Sequence, residues 1–188
     1  MPTFKLINPL ILGNLNTEFK GKDSDTVATE AWNTMSKHFT GNVPRFGFTM
    51  QGPNDELHHY LVKEKISKGK VVDYSLEPLK IGITQQQETG FVNHINKLKS
   101  NINEQVGGKS KKRYEDDDDD DDSSDSDDKY LRSKLTYYRS ANHPFYYWWY
   151  NPMIYTIYGT KYNSIYIPTF SVPFYPYFEV DVSSAFFA

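Results

Sequence analysis

Between Glu115 and Asp128 the chain reads EDDDDDDDSSDSDD, eleven carboxylates in fourteen residues. No packed core accepts such a run, because each buried carboxylate needs a partner of its own and like charges this close repel. The run therefore divides the sequence. Ahead of it stands a moderately polar segment with helix and strand periodicity. Behind it, twenty of the chain's thirty aromatic residues fall between Tyr130 and Ala188. Three parts are expected: a small α+β domain over 1–106, a disordered basic and acidic linker over 107–129, and an aromatic- and Pro-rich docking segment over 130–188.

The formal charge of −3 averages unlike regions. With the run set aside, thirteen acidic residues face 21 Lys and Arg, so the remainder is +8. Lys109, Lys111, Lys112 and Arg113 stand just ahead of the run as possible phosphate contacts. The acidic run would compete with any polyanion for them, over a screening distance of about 8 Å at physiological salt. Cysteine is absent, which excludes disulfides, thiolate metal sites and a Cys nucleophile. The N-terminal MPTFKLINPLILG lacks a basic n-region and is broken by Pro9, so it reads as a strand and not as a signal for secretion. No run of 18 apolar residues occurs, so no spanning helix is expected.

Phe4 to Leu12 reads as an edge or bulged strand, and Gly13 with Asn14 and Asn16 as a turn. Val27, Ala28, Ala31, Trp32, Met35 and Phe39 recur at helical spacing behind the N-cap candidates Ser24 and Asp25. The period then switches to two. Phe46, Phe48 and Met50 share a strand face, QGPND turns the chain, Leu57 to Ile66 returns, and Val71 to Ile81 supplies a third strand. Thr84 and Gln87 form a T-x-x-Q capping box before a second helix whose face is Phe91, Ile95, Leu98 and Ile102. The fold class is therefore α+β: a small antiparallel sheet with two covering helices, followed by the linker and an extended C-terminal segment. Trp32, Phe46 and Phe48 are expected in the core. Disorder is expected from Gly107 to Lys129, where nothing offsets an ordering cost of about 1–2 kcal/mol per residue.

No chemistry-bearing pattern stands out, and no catalytic residue, metal site or cofactor is expected. His58 and His59 are adjacent on a strand and point to opposite faces, so they cannot share a metal in regular geometry. His38 ends a helix, where a capping role suits the dipole. His94 falls on the polar side of the second helix, and His143 precedes Pro144. No P-loop, GxGxxG, GxSxG or HExxH is present. The acidic run lacks the Gly turn and spaced ligands of a calcium loop and reads as a solvated spacer. Ser124 and Ser126 sit in an acidophilic context for phosphorylation. The C-terminal segment is expected to pack on the N-terminal sheet, on a second copy or on a partner protein, and Tyr147, Trp148, Trp149 and Tyr150 are the residues expected to form the docking surface.

VATEAWNTMSKHFTGNVPRFGFTMQ running into ELHHYLVKEK, the Asp/Ser run, and YYWWYNPMIY followed by IPTFSVPFYPY together resemble uncharacterised proteins of mimivirus-type giant DNA viruses. The resemblance carries no catalytic residue across. It implies a viral protein located in the virion or the host cytoplasm. The expected function is that of a non-enzymatic structural or protein-interaction component. Two alternatives stand beside it: a nucleic-acid-associated module whose basic body is held in check by the acidic run, and an enzyme whose site has no sequence signature.

Overall fold

The first thirteen residues set the architecture. In the computed structural model, which describes residues 1–66, 72–107, 125–155, 165–171 and 175–183, the N-terminal apolar stretch is two strands. Thr3–Asn8 (β1) and Leu10–Gly13 (β2) part at Pro9, which follows a cis peptide, and they enter different sheets. The single edge or bulged strand expected over Phe4 to Leu12 is corrected to two strands, the first of them not at an edge, while its register against the strand Arg45–Gln51 does shift between Leu6 and Asn8 as at a bulge. Pro9 has no N–H to give a ladder, and β1 is an interior strand.

Glu18–Lys20 (β3) pairs antiparallel with β1, within a stretch that the sequence marked only as following a turn. Arg45–Gln51 (β4), Leu57–Ile66 (β5) and Val72–Pro78 (β6) form the expected antiparallel meander. The first sheet has the order β3-β1-β4-β5-β6. Phe46, Phe48, Met50, Tyr60 and Val62 alternate onto one face and are all fully buried. Ser24–Ser36 (α1) covers that face, with Trp32 5.9 Å from the Phe46 ring. Its N-cap is Asp23 and not Ser24 or Asp25. The Asp23 carboxylate accepts from the Thr26 N–H at 2.8 Å and from the Thr26 hydroxyl at 2.9 Å, which satisfies one of the helix's orphan donors.

Gln85–Gly107 (α2) begins with both bonds of the expected capping box: the Thr84 N–H donates to Gln87 Oε1 and the Gln87 N–H to Thr84 Oγ1. A third helix, Asp125–Ser140 (α3), starts inside the stretch expected to be linker. Its Leu131, Leu135 and Tyr138 recur at spacings of four and three and form an inward stripe, with Leu135 fully buried. That stripe packs α3 against α2 and the C-terminal region. Residues 108–124, which hold most of the expected disorder, lie outside the described residues.

The second sheet has the order β2-β7-β8, where β7 is Phe145–Tyr150 and β8 is Tyr177–Val180. β7 runs antiparallel to β2, with Leu10 opposite Trp149 and Leu12 opposite Tyr147, and parallel to β8. All six residues of FYYWWY are buried. A strand covered on both faces needs apolar residues on both faces, which is what this run supplies. On one side Trp149 meets Phe91 and His94 of α2. On the other, Trp148 meets Phe39, Phe170 and Phe178. Phe39 also touches Trp32 and Phe46, so one ring joins the two sheets into a single core.

This placement corrects the expectation for Tyr147, Trp148, Trp149 and Tyr150. Each is at most 1% exposed, so none offers a docking surface in the folded chain. The partner onto which these rings pack is the N-terminal part of the same chain.

Candidate functional site

Where the sheets meet, β4 carries Gly47 and Thr49 toward Tyr155, which belongs to a single turn of 3-10 helix at Pro152–Tyr155. A Cβ on residue 47 would fall 2.6–2.9 Å from three ring atoms of Tyr155, so glycine is what lets the ring lie on the strand. Around that ring runs a buried chain of polar groups. Asn8 Nδ2 donates to the Tyr155 hydroxyl and to the Asn151 carbonyl, both at 2.9 Å. The Asn151 N–H donates to Asn8 Oδ1 at 3.0 Å. The Tyr155 hydroxyl and Thr49 Oγ1 are 2.8 Å apart, as are Thr49 Oγ1 and His59 Nδ1. The Tyr155–Thr49 and Thr49–His59 bonds close in either proton order, and the His59 tautomer sets which one holds.

Burial dominates the electrostatics here. It drives the Tyr150 and Tyr155 hydroxyls well above the usual phenol range. It also pushes the His59 imidazole down to about 4, with the neighbouring His58 acting in the same direction. His59 is therefore neutral at neutral pH and only 7% exposed. A general base needs a pKa near the operating pH and a path to its substrate. His59 is a weak base by that measure, although it is one of the residues lining a neighbouring cleft, and within the fold it ends the polar chain. Its Nε2 has no hydrogen-bond partner among the described residues.

A cleft of about 420 Å³ opens beside the strand, lined by Asp25, Leu57, His58, Tyr60, Lys80 and Glu88 among others. The Tyr60 hydroxyl donates to Asp25 Oδ1 at 3.1 Å. Burial, with that carboxylate nearby, pushes the phenol up to about 12. Among the described residues no three His, Asp or Glu side chains come together in a way that could hold a metal ion.

His58 and His59 are neighbours on β5, and His38, His94 and His143 lie on other parts of the fold. His58 contacts Glu56 at 3.4 Å, and His94 lies 4.0 Å from Asp181 with its ring on Trp149. His143 packs near Tyr138. The expected capping role of His38 gives way to packing: its ring stands edge-on to Phe145, 5.3 Å between centroids, and burial lowers its pKa.

The outer face of α3 has a different character. Tyr130 and Tyr137 are 63% and 67% exposed, more than any other ring among the described residues, with Tyr175 next at 57%. Lys129, Arg132 and Arg139 are exposed elsewhere on the same helix, and Lys134 Nζ lies 4.5 Å over the Tyr130 ring. From Lys129 to Ser140 the helix has four cations and no acid. Of the other expected site residues, Ser126 lies in the first turn of α3. Lys109, Lys111, Lys112, Arg113 and Ser124 lie outside the described residues.

Sequence comparison finds similarity to an uncharacterised protein of Acanthamoeba polyphaga mimivirus, 27% identical over 109 residues. The match covers 57% of this chain and 59% of the relative's length. The expected resemblance to uncharacterised giant-virus proteins therefore holds. No protein-family model matches the chain, and no solved structure matches it. Among the described residues no helix is long and apolar enough to cross a membrane.

Proposed function

We propose that the protein is a non-enzymatic interaction module of a giant-virus-type system, carried in the virion, in which the outer face of α3 contacts the partner. One observation carries this reading: Tyr130 and Tyr137 stay exposed, seven residues apart on one basic helix, while the FYYWWY strand is spent on the core. Exposed Tyr and Arg, here on the two flanks of one helix, are residue types that binding surfaces favour, because a ring offers large contact area and guanidinium offers directed donors. The burial and low pKa of His59 support a structural role for the polar chain and so favour binding over catalysis.

The test places a photocrosslinking benzoylphenylalanine at Tyr137 in the full chain, with Glu104, exposed on α2, as the control position. Exposure to an extract of purified particles from the native source should give adducts from position 137 and not from 104. Equal labelling from both positions, or none from 137, refutes the reading.

A further inference from the structure

Resting on that reading of α3 as the contact face, we infer that its ligand is single-stranded nucleic acid, with bases stacking on Tyr130 and Tyr137 and phosphates held by Arg132 and Arg139. Each pair is spaced seven residues apart, two helical turns, which is about 10.5 Å along the axis. At about 100° per residue the arginine row lies on the opposite flank from the tyrosine row. Ser133, Thr136 and Ser140, all exposed, fall between them. A strand laid along α3 thus meets π faces on one flank, guanidinium groups on the other, and hydroxyls beneath.

Charge complementarity selects a polyanion along the last three turns of α3, where four cations and no acid follow the Asp125, Asp127 and Asp128 of its first turn. The aromatic content separates nucleic acid from an acidic peptide. The aliphatic residues Leu131 and Leu135 point inward, so the large exposed apolar groups of the face are its two tyrosine rings. What it offers is rings with polar tips, and every base can stack on such a ring regardless of sequence. Lys134 over Tyr130 holds one ring in place and leaves it 63% exposed. A duplex hides its base faces and could use only the cations, so the tyrosines specify a single strand.

The test measures anisotropy of a short fluorescein-labelled oligo-dT with the full-length chain at two salt concentrations. Y130A and Y137A should each weaken binding about tenfold or more, as loss of one stacking ring does, while Y130F and Y137F restore it. R132A and R139A should each reduce the salt slope by about 0.7. Alanine favours helix, and an unchanged far-UV circular dichroism spectrum confirms that α3 persists in each variant. A labelled poly-glutamate peptide and a duplex of the same length are measured alongside. If poly-glutamate binds as tightly and the tyrosine variants have no effect, the partner is an acidic protein segment; this inference fails and the interaction reading stands. Equal duplex binding that is indifferent to the tyrosines also overturns it. If no probe binds and position 137 gives no adduct, both readings fall.

Discussion

Gly47→Ala isolates the junction between the two sheets. The new Cβ would lie 2.6, 2.7 and 2.9 Å from Cδ2, Cγ and Cε2 of Tyr155, against an ordinary contact of 3.4–4 Å. Either the ring or the strand must move by nearly an ångström. The ring is fully buried and its hydroxyl engages Thr49 and Asn8. Overpacking a tight core costs about 1–3 kcal/mol. Pulling the hydroxyl off its partners leaves buried polar groups unpaired at about 1–3 kcal/mol each. A loss of about 3–5 kcal/mol is therefore expected, a large share of the roughly 5–15 kcal/mol typical of a domain. Urea unfolding followed by tryptophan fluorescence reads it, because Trp32, Trp148 and Trp149 are all buried. The decisive comparison is a double-mutant cycle with Tyr155→Ala, which removes the ring that the methyl would strike. Gly47→Ala in that background should cost little, giving a coupling of about 2 kcal/mol or more. A Gly47→Ala loss below about 0.5 kcal/mol, or a loss equally large without the ring, would refute the reasoning, since distant surface changes fall in that range.

Three further outcomes are expected. The unfolded chain protonates His59 near 6.5 and the folded chain only near about 4, so between these values the unfolded state binds more protons. Stability is then greatest above about pH 6.5 and falls toward pH 4, by about 3 kcal/mol from His59 at 1.36 kcal/mol per pH unit. Burial lowers His38 and His94 as well, which adds in the same sense. Urea midpoints across that window should flatten in His59→Gln, and an unchanged slope would contradict the account. Asn8→Ala strips the buried Asn151 N–H of its acceptor and Tyr155 of a donor. It should cost about 2–5 kcal/mol by the same unfolding assay, and a neutral effect would show the bridge between β1 and the C-terminal region to be unimportant. Tyr130→Ala with Tyr137→Ala should leave the midpoint within about 0.5 kcal/mol of the parent, as exposed positions do. A larger loss would place those rings in the core.

The elements that read well from sequence are those with one buried face. Alternation of Phe46, Phe48 and Met50 marks β4, and the spacing of Val27, Ala31 and Met35 marks α1, because each pattern has a wet side to contrast with. β7 has no wet side. FYYWWY carries no period, so the sequence leaves open whether it packs on the N-terminal sheet or on a partner, and its burial by α2 on one face and Phe39 with Phe170 on the other has no local signal. The opening stretch misled for a related reason: Leu6 and Ile11 are equally apolar, and only Pro9 hints that they serve different sheets. α3 was hidden by Asp125, Asp127 and Asp128, whose charge spoke for linker, although acids suit a helix N-terminus and Leu131, Leu135 and Tyr138 already carried the helical spacing. The chain from Asn8 through Tyr155 and Thr49 to His59 had no local signal at all. Asn8 and Tyr155 are 147 positions apart, and nothing in a single sequence marks two polar residues as neighbours across that distance.

The central claim is that the aromatic C-terminal strand is an interior strand of the same core as the N-terminal sheet. Native-state amide hydrogen exchange on the full chain, compared with its Trp148→Ala variant, tests this directly. Amides of Phe145 to Tyr150 should be protected to the same degree as those of Phe46 to Val62. Trp148→Ala, expected to cost about 3–5 kcal/mol, should lower protection in both regions together, as one cooperative unit requires. Rapid exchange across Phe145 to Tyr150, or a variant that loosens that strand and leaves Phe46 to Val62 untouched, would contradict it.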